Sequence, residues 1–325
     1  MSDMFRWHGG RLAQARDHYG ADGQPWIDLS TGINPRPWPG AAHIAPDWQS
    51  LPDPAALADM ETAAASHFGV APAHVCALPG SEIGLRMLGK LLDRPGCHLV
   101  PSYRTHAAAF PGSLPLDAPE QAPPGTALLL ANPNNPDGRL FAPAKMQALL
   151  ARQERDDGWL IVDEAFADSV PGSSIAGEAG EGRRLILLRS FGKFFGLAGV
   201  RLGLLVGPPS IIAACRAMLG DWPLSAAAID FGRAAYRDRL WINRTVADLR
   251  NRAAHLDRML ARHGLNPRGD CPLFRLVETP AAAALFDRLA RQAILTRPFD
   301  DQPDWLRLGL PADDAAMARL DEALG

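Results

Sequence analysis

The alternation of apolar and polar positions changes character several times along the chain. The first fifty residues keep no period and are rich in Gly, Pro and Trp, so they read as an extended arm with turns at WHGG, STGINPRPWPG and SLPDP. A helix is expected over residues 54–68, opened by the Asp53-Pro54 pair. CALPGSEIGLRMLGKLL then reads as a strand end, a Gly turn and a helix. Short apolar runs follow at 98–101, 126–131, 159–163, 185–190 and 202–206, with a helix in PAKMQALLARQER between the second and third. ALLLA and WLIVD are apolar at every position, as expected of strands covered by helices on both faces. Strand and helix in alternation predict an α/β domain with a mostly parallel sheet.

From Ser225 the pattern turns helical, through 226–239 and 241–263. The end mixes FRLVE, a helix over 281–293, ILTRPF, WLRLGL and a last helix over 313–324, which predicts a small α+β domain beginning near the turn at 269–272. The organisation expected is an arm over 1–50, a large domain over 51–240 and a small domain over 241–325, a long helix linking the two. No period of 20–50 residues recurs, which excludes a repeat architecture.

Composition narrows the classes. The 325 residues are 47% hydrophobic and 21% charged, an ordinary globular balance. A net charge of −3 gives no electrostatic reason for a nucleic-acid or anionic-membrane partner. Cys76, Cys97, Cys215 and Cys271 are scattered, without a CxxC pair or a His cluster at ligand spacing, so free thiols in a reducing cytoplasm and no metal are expected. Apolar runs fall short of the ~18 residues of a membrane span, and the start lacks the apolar region of a signal peptide.

Candidate chemistry sits just past strand ends, where parallel sheets gather ligands. Three runs lead into ANPNNPDG, DEAF and RSFGKFFGLAGVRLG, and so place Asn135, Asp163 and Lys193 at comparable positions. The lysine stands among Phe, Leu, Gly and Ala, a setting that disfavours the ammonium form and frees the amine for Schiff-base chemistry. Ser190 precedes it by three residues and Arg201 follows by eight, a hydroxyl and a guanidinium suited to a phosphate dianion.

This set resembles the fold-type I pyridoxal-phosphate enzymes, from about residue 25 to the C-terminus. The resemblance implies the aspartate-aminotransferase-like fold, with Lys193 as the Schiff-base lysine and Asp163 paired with the pyridine nitrogen. Asn135 would donate to the phenolic oxygen. Ser190, Arg201 and the backbone amides of Gly80, Ser81 and Glu82 would hold the phosphate, the last three at a helix N-terminus. His106, in PSYRTH, is favoured over Tyr103 as the ring stacked on the cofactor. Two departures from aminotransferase relatives stand out: Phe166 replaces the tyrosine of DEAY, and Leu51 replaces that of YPD.

HGG near the start, STGINPRP and SFGKFFGLAGVRLG together resemble the histidinol-phosphate aminotransferase branch, and more closely its L-threonine O-phosphate decarboxylases of cobalamin synthesis. The resemblance implies that His8 and Asn34 contact substrate and that Arg297 and Arg307 grip its carboxylate. It also implies a homodimer, with a further cobalamin-pathway enzyme as a partner; the location expected, from the lack of a signal-peptide pattern and of a membrane span, is the cytoplasm. An aminotransferase acting on histidinol phosphate or an aromatic amino acid is the alternative. A non-catalytic module of this fold is weighed last, since Lys193 and Asp163 are both kept.

Overall fold

The computed structural model describes Phe5, residues 8–20 and residues 23–325. Two compact units divide the chain. The larger holds Pro37–Asn135 and Arg139–Arg244; the smaller holds the residues up to Arg36, Pro136–Gly138 and Thr245–Gly325. The arm expected over 1–50 is therefore shared between the units. The larger unit reaches Arg244, inside the helix Arg239–Arg262.

The larger unit is built on a seven-stranded sheet in the order Val75–Leu78, Gly203–Val206, Leu185–Ser190, Trp159–Asp163, Ala127–Ala131, Gly96–Leu99, Leu114–Leu116. Neighbours are parallel except at Gly203–Val206, which runs against both of its partners. The apolar runs become the interior strands because helices cover both faces. Leu160, Ile161 and Val162 are fully buried, as are Leu185 through Leu188. Burial of such a side chain contributes about 1.5–3 kcal/mol.

The helix Pro54–Phe68 begins where its sequence signals place it. Asp53 Oδ1 accepts from Ala55 N–H at 2.9 Å, and Gly69, at φ 73°, ends it. Pro143–Arg155 also matches its expected span. Unexpected elements are the helix Pro209–Leu219 and the edge strand Leu114–Leu116. The first lacks a clear polar stripe, and the second is three residues long with a proline inside.

The smaller unit carries a four-stranded antiparallel sheet in the order Arg297–Pro298, Trp305–Gly309, Phe274–Glu278, Pro267–Arg268. ILTRPF is split, its first part Ile294–Leu295 pairing in parallel with Ile27–Asp28. The helices Ala282–Arg291 and Asp314–Leu324 follow the expected pattern. Leu12–Tyr19 was not anticipated: only Ala15 of it is buried, so no apolar stripe marks it. Among the described residues no helix is long and apolar enough to cross a membrane, and no metal-binding cluster forms. All four cysteines are free and buried.

Candidate active site

A cavity of about 230 Å³ opens in the larger unit at the carboxyl ends of the central strands. Asp163 and Ser190 are the last residues of adjacent strands, and Lys193 lies in the single turn Phe191–Phe194 that follows. Asn135 reaches the same wall from the loop after Ala131. Gly80, Ser81, Glu82 and Arg201 complete it, so eight of the nine cofactor residues named from sequence come together. The ninth, His106, does not.

One end is shaped for an anion. Ser81 opens the twelve-residue helix Ser81–Leu92, whose first N–H groups have no partner within the helix. Gly80, at φ 94°, lets the Arg201 guanidinium approach; a Cβ there would stand 2.6 Å from Nη2. Gly203 packs against the same turn, where a Cβ would be 2.3 Å from Ser81 N. Glu82 would place a negative charge at this helix end, but its carboxylate is turned away. It accepts from Tyr103 Oη at 3.1 Å, Thr105 Oγ1 at 3.0 Å and Arg86 Nε at 2.9 Å.

At the other end Asp163 Oδ1 accepts from Ala165 N–H at 3.0 Å, and Oδ2 lies 3.1 Å from His106 Nε2. His106 is 0% exposed, and its Nδ1 is buried with no hydrogen-bond partner among the described residues. The stacking role given to His106 is thus corrected. The short helix Thr105–Ala108 turns it behind Asp163, away from the cavity, while Tyr103 lines the wall. Phe166 also lines it, with Lys193 Nζ 5.9 Å from the ring centroid.

Behind these strand ends lies a charged network that sequence reasoning missed. Arg189 precedes Ser190, and its Nη1 donates to Glu164 Oε2 at 2.7 Å; Nη2 pairs with Asp168. His67 Nε2 lies 2.9 Å from Asp168 Oδ1, Ser174 Oγ donates to Glu164 Oε2 at 2.6 Å, and the Arg189 guanidinium sits 4.5 Å over the Phe68 ring. Burial works against the Asp168 carboxylate, but the Arg189 and His67 partners win and hold it down at about 2. Burial works against the Arg189 guanidinium in turn, and the Asp168 and Glu164 carboxylates raise it all the same. The arginine within LILLRS and the acids Glu164 and Asp168 of DEAFAD were the available signal, since an apolar strand cannot carry such charges unpaired.

The residues expected to meet substrate lie in the smaller unit. Arg297 and Arg307 are both buried and face each other across antiparallel strands. Arg297 Nη1 donates to Phe5 O at 2.9 Å, and Arg307 Nη2 to Ser30 O at 2.9 Å. Burial pulls the Arg307 guanidinium down to about 10, partly opposed by Asp28, so it stays charged at neutral pH. Asn34 is buried and its Oδ1 accepts from Arg36 N–H at 3.0 Å, whereas His8 is exposed.

The sequence profile of aminotransferase class I and II matches residues 116–324, and the chain belongs to that family. It is 42% identical over 328 residues to the threonine-phosphate decarboxylase of Pseudomonas aeruginosa, an alignment covering 98% of this chain and 96% of that one. It is 40% identical over 327 residues to the protein of the same name from Sinorhizobium sp, covering 98% and 97%. Among solved structures, histidinol-phosphate aminotransferase from Sinorhizobium meliloti, in complex with pyridoxal-5'-phosphate, superposes with a TM-score of 0.82 at 23% identity, covering 97% and 96%. At that identity the likeness is one of fold.

Proposed function

We propose that this protein is a pyridoxal-phosphate-dependent carboxy-lyase converting L-threonine O-phosphate to (R)-1-amino-2-propanol O-phosphate in cobalamin synthesis. The observation that carries the reading is identity of 42% and 40%, over 98% of the chain, to two proteins named threonine-phosphate decarboxylase. The cavity fits the cofactor. It offers an amine, a carboxylate backed by a buried imidazole, and a helix N-terminus with a guanidinium admitted by a glycine.

Pyridoxal phosphate, when bound, supplies an electron sink for the pair left on the substrate's α-carbon after a bond there breaks. Lys193 would anchor the group and return a proton to that carbon. Asp163, held by His106 and Ala165, would keep the ring nitrogen protonated. Asn135 would donate to the phenolic oxygen, Tyr103 would cover the ring face, and Ser190, Arg201 and the amides of Gly80, Ser81 and Glu82 would take the phosphate. Arg307 and Arg297 are proposed to hold the substrate carboxylate, with His8 and Asn34 as further contacts. Which α-bond breaks is a matter of orientation, and carboxylate-binding groups set it.

The partners in this reading are the phosphorylated amino acid, a second copy of the chain in the cytoplasm, and an enzyme that takes the amine product. Trp48, Leu51 and Trp222, at 73%, 66% and 53% exposure, support a surface covered by the second copy. The function is tested by mass-spectrometric product analysis of the cofactor-loaded protein with L-threonine O-phosphate, with and without 2-oxoglutarate. Aminopropanol phosphate is expected without the oxo-acid. Glutamate formed only in its presence would make the protein an aminotransferase.

A further inference from the structure

Ser30, at 2% exposure, joins several groups of the smaller unit. Its carbonyl oxygen accepts from Arg307 Nη2 at 2.9 Å. Its Oγ accepts from Gly10 N–H at 2.8 Å and donates to Asp28 Oδ1 at 2.6 Å, and its own N–H donates to that same carboxylate oxygen at 2.8 Å. Gly9 lies close against the same carbonyl: a Cβ there would stand 2.2 Å from Ser30 O, the atom that receives Arg307. Two residues beyond Arg307, Gly309 N–H donates to Leu29 O at 2.7 Å, and a Cβ on Gly309 would lie 2.4 Å from Thr31 O. Residues 29–31 are thus wedged between the HGG turn and the strand that carries Arg307.

This arrangement suits a guanidinium that must be oriented and still carry its charge to a ligand. A neutral carbonyl restrains the long arginine stem without cancelling the charge, which an acidic acceptor would do. Asp28 is close enough to act electrostatically on Arg307, and Ser30 engages its Oδ1 through two donors. The serine therefore supplies a neutral acceptor and occupies the neighbouring carboxylate. The two glycines of HGG provide the close approach and, at Gly10, the positive φ of 77° that the turn requires.

We propose that Ser30 is a positioning residue for Arg307, with Gly9 and Gly10 as the backstop that fixes its carbonyl, so that HGG and STG serve recognition of the substrate carboxylate. The inference rests on the reading of Arg307 as the carboxylate-binding arginine. It assigns a purpose to glycines that touch neither cofactor nor substrate in that reading.

The test compares two ligands by calorimetry on the cofactor-loaded protein in a Lys193→Ala background, which blocks turnover. One ligand is L-threonine O-phosphate, and the other is 1-amino-2-propanol O-phosphate, which lacks the carboxylate. Gly9→Ala and Ser30→Ala are expected to weaken the first by about tenfold, the scale of a bond to a charged group, and to leave the second within about twofold. Ser30→Thr keeps the hydroxyl and should restore binding. In an Arg307→Lys background Ser30→Ala should add no further loss. Equal losses for both ligands, or a lowered melting temperature with affinities unchanged, would overturn the proposal. Should Gly9→Ala fail to fold, Ser30→Ala leaves the main chain intact and decides alone. Failure of the function itself shows elsewhere, as a wild-type protein that releases no aminopropanol phosphate.

Discussion

His106 Nε2 stands 3.1 Å from Asp163 Oδ2, with the imidazole wholly inside the protein and the carboxylate on the cavity wall. The histidine acts on the site only through the aspartate. His106→Phe preserves a flat buried ring and removes the donor. Hydrogen bonds to charged groups are worth about 1.5–3 kcal/mol, so kcat should fall about ten- to a hundredfold. Steady-state rates at saturating cofactor check this; an unchanged kcat would separate His106 from the chemistry.

Lys193→Ala should abolish turnover while the fold persists, because the side chain is only partly buried and lies in a single helical turn. Borohydride treatment of the loaded wild-type protein, followed by peptide mass spectrometry, should place a pyridoxyl group on Lys193. The same treatment of the variant should leave that peptide unlabelled. Label on another lysine would displace Lys193 from its assigned role.

Gly203→Ala should weaken cofactor binding. The new Cβ would meet main chain, 2.3 Å from Ser81 N and 2.6 Å from Gly80 C, so the anion-binding turn has to move. Overpacking of this kind costs about 1–3 kcal/mol, and a weakening of about tenfold or more is expected in equilibrium dialysis with pyridoxal phosphate. Retained affinity would mean that the helix start does not hold the phosphate.

Asp168→Asn tests the network behind the strands. The carboxylate is held at about 2 against an ordinary value of 3.8. A depressed acid stabilises the fold above its unfolded value and loses that contribution as pH falls through the folded one. Wild type should therefore exceed the variant by about 2 kcal/mol or more near neutrality. The gap should shrink between pH 4 and pH 2, as urea unfolding at each pH would show. A gap independent of pH would point to lost packing instead of lost charge.

What the sequence determined by itself follows from local rules. Apolar runs such as WLIVD and LILLRS can satisfy their burial only inside a covered sheet, and Asp53-Pro54 starts a helix wherever it stands. Spacing along three such strands was enough to bring Asn135, Asp163 and Lys193 to one wall, since parallel strands end on the same side. The roles of Tyr103 and His106 were beyond that reading. They stand three residues apart in one loop, and only the packing of the Thr105–Ala108 turn decides which ring faces the cavity and which backs Asp163. The helix Leu12–Tyr19, with one buried residue, left no periodic mark. The Ser30–Arg307 bond spans 277 positions, and the Arg189 network joins residues from four segments. Such contacts depend on where long-range strand pairing and side-chain packing place the chain, and those distances exist only in the folded protein.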